Sequence, residues 1–570
     1  MQPETTRRTF VKGIAAAGIL GGLGLWRTPV WAITSPGEPN VLAGTDFDLF
    51  IGETPVNITG NPRTAMTING GIPGPLLRWR EGDTVTLRVR NKLNADTSIH
   101  WHGILLPANM DGVPGLSFHG IEPGGMYVYQ FKVRQSGTYW YHSHSGLQEQ
   151  SGVYGPLVID AKEPEPFEYD RDYVVMLTDW TDEDAAGLMK TLKKQSDYYN
   201  YNKRTVGDFI HDVSEKGWGS TVADRKMWAD MKMNPTDLAD VSGATYTYLM
   251  NGQAPDMNWT GVFRPGEKLR LRFINGSAMT YFDVRIPGLK MTVVAADGLH
   301  VKPVSVDEFR IAVAETFDVI VEPTQDAYTV FAQSMDRTGY ACGTLAVKTG
   351  VSAPIPPLDP RPLVTMDDMG MGGMDHGAMG GDMAGMDHSA MAGMGDMQSH
   401  PATESNNPLV DMQAMTTSPK LNDPGLGLRD NGRRVLTYSD LRSTFEDPDG
   451  RDPGRTIELH LTGHMEKFAW SFNGVKFSDA EPLRLKYGER IRIVLVNDTM
   501  MTHPIHLHGM WSDLEDENGK FMVRKHTIDM PPGSRRSYRV TADALGRWAY
   551  HCHLLYHMEM GMFREVRVEE

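Results

Sequence analysis

An all-β chain of three β-sandwich domains of one design is what this sequence predicts, on three observations: a strand template that occurs three times without gaps, an Asn-Gly pair upstream of each copy, and a length of 570 residues that suits three or four domains. In the first copy Gly82 is followed by Val85, Leu87, Val89 and Asn91. In the second, Gly266 is followed by Leu269, Leu271, Phe273 and Asn275, and in the third Gly488 by Ile491, Ile493, Leu495 and Asn497. Apolar residues alternating at period two describe a half-buried strand, and a Gly-acidic turn opens each one. Asn69-Gly70, Asn251-Gly252 and Asn473-Gly474 are hairpin signals.

The domains follow from these markers. Residues 1–32 form a leader, 40–162 the first domain and 163–351 the second, with a polar, helical insertion at about 182–240 that carries Met227, Met231 and Met233. A Met-rich linker runs over 352–425 and the third domain over 426–570. Ten methionines fall between Met366 and Met397 among Gly, Asp and Ala, a composition that builds no packed core of its own.

Lys and Arg number 56 against 72 Asp and Glu, a formal charge of −16, which argues against a nucleic-acid partner and is compatible with attracting cations. The two cysteines, Cys342 and Cys552, are too few for a disulfide framework. Thr6-Arg7-Arg8-Thr9-Phe10-Val11-Lys12 is a twin-arginine pattern; an apolar run from Gly13 to Trp26 follows, and Val30-Trp31-Ala32 suits a signal peptidase. The run is shorter than the roughly 20 residues that span a bilayer. The expected product is an exported protein without a membrane span, carried in its folded state.

The repeat also tells which copies hold metal. Nine and eleven residues beyond the shared Asn stand His100 and His102 in copy one and His506 and His508 in copy three, but Val284 and Ile286 in copy two. Gly137 precedes His142-Ser143-His144 by five residues, as Gly546 precedes His551-Cys552-His553. Residues i and i+2 of a strand share a face, so each His-x-His presents two imidazoles side by side. Four such pairs make eight imidazoles, more than one ion uses. Cys552 and His557 with His503 and Met562 supply the His₂Cys set and weak axial Met of a blue-copper electron-transfer centre; zinc would not ordinarily take Met as a fourth ligand. Cys552 faces one side of its strand and His551 and His553 the other, so roughly ten bonds join the two centres. A single-electron collector beside a multinuclear cluster suits four-electron reduction of dioxygen to water.

His100-Trp101-His102-Gly103, His142-Ser143-His144, His503-Pro504-Ile505-His506-Leu507-His508-Gly509 and His551-Cys552-His553 through His557 to Met562 make the chain resemble the multicopper oxidases, specifically the copper-resistance protein A family of Gram-negative bacteria. The resemblance implies three cupredoxin-like Greek-key domains with a flexible Met-rich insertion, a periplasmic location, and four coppers: one type 1, one type 2 and a type 3 pair. It allocates His100 and His506 to type 2 copper, His102, His142 and His553 to one type 3 ion, and His144, His508 and His551 to the other. It gives Asp111 the role of feeding protons to reduced oxygen, beside the plainer reading of a turn-forming Asp before Gly112. Some bacterial relatives carry a carboxylate directly after the second type 1 histidine; here Met558 stands there and Glu559 follows.

Thioethers prefer Cu(I), so Met374, His376, Met379, Met386, His388 and Met391, in a repeated Met-Asp-His pattern, read as a cuprous-ion collector. Asp498, Met500 and Met501, just before His503, are candidates to hold substrate copper, or else strand-end packing. Oxidation of Cu(I) is favoured over two alternatives, laccase-like oxidation of phenols and simple copper sequestration, and periplasmic copper carriers are candidate partners. Cys342 reads as a small buried apolar residue; His119, His211, His300, His460, His464 and His526 lack paired spacing and read as structural or surface histidines.

Overall fold

The computed structural model describes residues 40–372 and 397–570; the twin-arginine leader and Met374, His376, Met379, Met386, His388 and Met391 lie outside the described residues. Each template strand buries the apolar residues named above: Val85, Leu87, Val89, Leu269, Leu271, Phe273, Ile491, Ile493 and Leu495 all lie in the core. The three template glycines have φ of 93°, 86° and 81°, a conformation open to Gly at no steric cost.

The shared asparagines explain why the template repeats. At the end of its strand each is buried and makes the same three bonds. Its amide donates to two carbonyls, those of Ala95 and Ile121, of Thr280 and Ile311, or of Met501 and Met530; its Oδ1 accepts the amide two residues on, from Leu93, Ser277 or Thr499. Each Asn-Gly turn is likewise built alike: Asn69, Asn251 and Asn473 have φ of 53°, 51° and 52°, and their side chains accept from the amides of Phe50, Met176 and His460.

The second and third sandwiches have one topology. A six-stranded sheet in the middle domain runs Tyr246–Met250, Arg171–Thr181, Leu269–Asn275, Thr316–Val321, Met291–Ala296, Leu299–Val306. In the last domain its counterpart runs Ala469–Phe472, Arg455–His464, Arg490–Asn497, Arg535–Thr541, Ser512–Glu515, Phe521–Lys525. A five-stranded sheet completes each, and the first domain pairs a four-stranded with a five-stranded sheet. Parallel neighbours such as Arg455–His464 and Arg490–Asn497 require the chain to cross between sheets, the Greek-key manner of connection.

Three helices, Ala185–Lys194, Val206–Lys216 and Trp218–Asp230, occupy the insertion; Asp184 caps the first, and Thr205 with Asp208 forms a capping box on the second. The flanks of the Met-rich segment differ from what composition alone indicates. Val364, Met369, Met412, Ala414 and Leu421 are buried, because these stretches dock their few apolar side chains on sandwiches already formed.

Two strand pairs position the histidines. His100–His102 pairs antiparallel with Gly137–His142, setting His100 opposite His142, and His503–Leu507 pairs with Gly546–Cys552, setting His506 opposite His551 and Ile505 opposite Cys552. The equivalent strand of the middle domain, Phe282–Arg285, carries Val284, fully buried, with Ile286 just beyond it.

Candidate metal centres

All eight paired histidines converge where the first and third domains meet. The His100 ring stacks on His508 and the His102 ring on His506, each at 3.8 Å between centroids, so rings from opposite ends of the chain alternate. His102, His142 and His553 lie within 4.9–5.8 Å of one another by ring centroid. His144, His508 and His551 point their Nε2 atoms at one spot, with His551 Nε2 at 3.3 Å from His144 and 3.1 Å from His508. His100, His506 and His508 form a further group of close nitrogens.

These nitrogens call for a cation. His508 Nδ1 is bonded to Asp111 Oδ2 at 2.8 Å and His551 Nδ1 to the Cys552 carbonyl at 2.9 Å, so in each neutral ring the proton sits on Nδ1 and Nε2 offers a bare lone pair. Lone pairs 3.1 Å apart repel unless something positive lies between them. Burial holds the rings neutral: His102, His142, His144, His506, His508 and His553 are pushed well below the usual imidazole range, and His551 down to about 3. Nε2 of His100, His142 and His506 and both nitrogens of His102 and His553 are buried without a hydrogen-bond partner among the described residues. Each such group left bare costs about 1–3 kcal/mol. Neutral, unpartnered imidazoles are the form that metals bind.

A second centre lies beside the first. Cys552 Sγ is 3.5 Å from His503 Nδ1 and 3.9 Å from His557 Nδ1, and the two Nδ1 atoms are 3.1 Å apart. Their far nitrogens are held by Thr499 Oγ1 at 2.7 Å from His503 Nε2 and by Asp240 Oδ2 at 2.8 Å from His557 Nε2, which turns both Nδ1 atoms toward the sulfur. Met562 is fully buried, accepts the Cys552 amide on its carbonyl and donates its own amide to the His557 carbonyl, closing the loop. Burial first, and then the nearby Asp240 and Asp529 carboxylates, raise the Cys552 thiol far above its usual range, so a thiolate here requires a cation. The donor sets of both centres fit copper.

Asp111 is buried, its Oδ1 3.4 Å from His100 Nδ1 and its carbonyl bonded to that nitrogen at 2.8 Å, so it orients one ring from each domain. Asp498, Met500 and Met501 do not form one donor set. Asp498 turns to His460, His400 and the Ala414 amide, while Met501 lines a small cavity with Asp240, Tyr281 and Thr502 beside the His557 partner, and Met500 lines a neighbouring one.

Three contacts are not visible in spacing. Glu149 Oε2 lies 2.6 Å from His142 Nδ1, and Glu149 is buried and pushed well above the carboxylate range by desolvation. It stands five residues past His144, near in sequence but in no motif that marks it. Asp240 reaches His557 across 317 positions. His526 sits edge-on to His102 at 4.7 Å and its carbonyl accepts from His506 Nδ1 at 2.6 Å. Cys342 is buried in strand Tyr340–Ala346 with its thiol pushed up to about 11, and His300 pairs with Glu165 at 3.0 Å.

Three family models, each described as multicopper oxidase, match residues 51–164, 171–350 and 450–570. Over the full length of both chains the sequence is 79% identical to the copper resistance protein A homolog of Pseudomonas syringae pv. tomato and 72% identical to copper resistance protein A of Escherichia coli. Among solved structures, Fet3p, a multicopper oxidase that functions in iron import, superposes with a TM-score of 0.64 at 20% identity, over 93% of this chain and 91% of that one, a likeness of fold. Among the described residues no helix is long and apolar enough to cross a membrane.

Proposed function

This chain belongs to the copper-resistance protein A family of multicopper oxidases, and from that membership we propose that it oxidises Cu(I) to Cu(II) in the periplasm, with four-electron reduction of dioxygen to water. One observation carries the reading: Cys552, between His503 and His557, sits in the same strand end as His551 and His553, which enter the eight-imidazole cluster. A storage protein has no use for that link.

His503, Cys552, His557 and Met562 hold a type 1 copper in this reading. His100 and His506 hold type 2 copper, and the remaining six rings hold the type 3 pair. Copper bound there supplies one-electron redox chemistry and the binding of dioxygen. The protein's own part is to keep the rings neutral, fix their tautomers through Asp111, Glu149 and backbone carbonyls, and exclude bulk water from both centres. Asp111 and Glu149 are the carboxyls placed to hand protons toward the cluster, from its two sides.

The Met-rich run and Met501, beside the Asp240–His557 hydrogen bond, support Cu(I) as the reductant over a phenol. Export by the twin-arginine route places the folded enzyme where a copper carrier can reach it. Oxygen uptake with Cu(I) and with a phenol, by the intact protein and by one lacking residues 366–397, tests the choice. A cuprous oxidase loses its Cu(I)-driven rate with the deletion while any phenol rate stays; a laccase shows a dominant phenol rate in both.

A further inference from the structure

A third group of metal-ligating side chains lies outside the two centres. His400 and Glu404, four residues apart, come from the stretch that resumes just after Met397; His460 comes from strand Arg455–His464, and Asp498 follows strand Arg490–Asn497. One donor atom from each lies within 4.8 Å of all the others. Asp498 Oδ2 is 2.6 Å from His460 Nδ1 and 3.2 Å from His400 Nδ1, and His400 Nδ1 is 3.3 Å from Glu404 Oε2. The Asp498 and Glu404 side chains are fully buried, His460 is 1% exposed and His400 16%. Glu404 Oε1 has no hydrogen-bond partner among the described residues and faces His460 Nδ1 at 3.8 Å. His400 Nδ1, aimed into the same point, also lacks a hydrogen bond of good geometry.

The internal repeat supplies a control. Asp498 directly follows the shared Asn, and the His460 amide is the one bonded to the Asn-Gly turn; the residues so placed are Lys92 and Phe50 in the first domain and Gly276 and Met176 in the second. There the same two positions are filled without ligand chemistry: Lys92 Nζ lies 3.6 Å over the Phe50 ring, and the Met176 methyl occupies the space beside Gly276. The fold therefore needs neither an imidazole nor a carboxylate at this corner. The third domain has both, and the post-methionine stretch adds a second of each.

Against burial, Asp498 and Glu404 raise both imidazoles above their usual range, so the rings carry protons here; a dication that displaces those protons has its charge balanced by the two buried carboxylates. Imidazole and carboxylate oxygen suit a borderline divalent ion such as Cu(II), whereas Cu(I) takes thioether and thiolate sulfur. We propose that His400, Glu404, His460 and Asp498 form a further metal site, separate from the catalytic coppers, that binds Cu(II). It stands at the end of the methionine run, and Asp498 is five residues ahead of His503, on the loop that leads into strand His503–Leu507. A Cu(II) ion produced by the proposed reaction would meet hard donors here after soft ones; that assignment as product rests on the proposed function, whereas binding does not.

The test uses the full chain loaded with its catalytic copper, oxidised and not turning over. Cu(II) is added under equilibrium dialysis against wild type, His400→Gln and Glu404→Gln. The wild type is expected to take up one further Cu(II) per chain with an electron paramagnetic resonance signal split by two imidazole nitrogens. Each variant is expected to lose that ion while keeping the blue absorption, which also reports that it has folded. Equal uptake by all three proteins, or no uptake by wild type, overturns the proposal. Because no Cu(I) is supplied, absence of cuprous oxidase activity would leave this result unaffected.

Discussion

The middle and last domains share strand order, template asparagine and Asn-Gly turn, yet only the last sets imidazoles beside a thiol in its five-stranded sheet; the middle sheet has the thiol of Cys342 and no histidine. Where His506 and His508 enter the cluster, Val284 and Ile286 pack into a core; buried ion pairs occur in both domains, Arg272 with Asp172 in the middle one and Arg490 with Asp513 in the last. The sandwich is thus a framework, and the chemistry is carried by a few side chains set on it.

The largest expected effect is at the sulfur that stands between two imidazoles. Cys552→Ser should abolish the blue absorption and lower turnover by several orders of magnitude, while the fold, read by circular dichroism, stays. Asp111→Asn keeps the shape but weakens the grip on His508 and His100; copper affinity or turnover should fall roughly 10–100-fold, measured by copper retention and oxygen uptake. Asn275→Ala and Asn497→Ala each remove buried hydrogen bonds and should cost about 2–3 kcal/mol in denaturant unfolding. Only Asn497→Ala should shift the blue absorption, because Asn497 bonds the Met501 carbonyl two residues before His503. Equal spectra would break the comparison. Val284→His should bury an unpaired ring, cost about 2 kcal/mol and add no copper; an added copper would show that the middle sheet needs only a ligand.

The smallest effect is acid sensitivity of the middle domain's ion pairs. Burial opposes ionisation of Glu165, but hydrogen bonds from His300 and Arg270 and the nearby guanidinium charges outweigh it and hold it at about 2. Asp172 is held at about 2 against burial by Arg272, Arg270 and Arg78. Folded values lie below the ordinary 4.5 and 3.8, so this stabilisation is complete above about pH 4.5 and is lost as pH falls toward 2. Melting temperatures over that window should fall less steeply for Glu165→Gln than for wild type.

Local rules made the framework legible. Period-two apolar strands, Asn-Gly turns and His-x-His spacing are properties of neighbouring residues, and each paired histidine arrives at the cluster. What spacing does not carry is the contact between distant segments. Asp240 meets His557 from the helical insertion, and His460, read as structural for want of a paired neighbour, gains its partners from His400 and Glu404 beyond the Met-rich segment. Asp498 reads with Met500 and Met501 as a substrate-copper candidate from its place just before His503; the strand end sends its carboxylate to a different corner.

In the proposed function one sulfur and its flanking rings couple a mononuclear centre to a multinuclear one. Anaerobic titration of the fully loaded protein with Cu(I), followed by oxygen readmission while the blue absorption is watched, tests it most directly. Four coppers per chain, bleaching on reduction, uptake of four electrons and full return of the colour with oxygen are expected. A loaded protein with fewer than four coppers, or one that stays colourless throughout, contradicts the account.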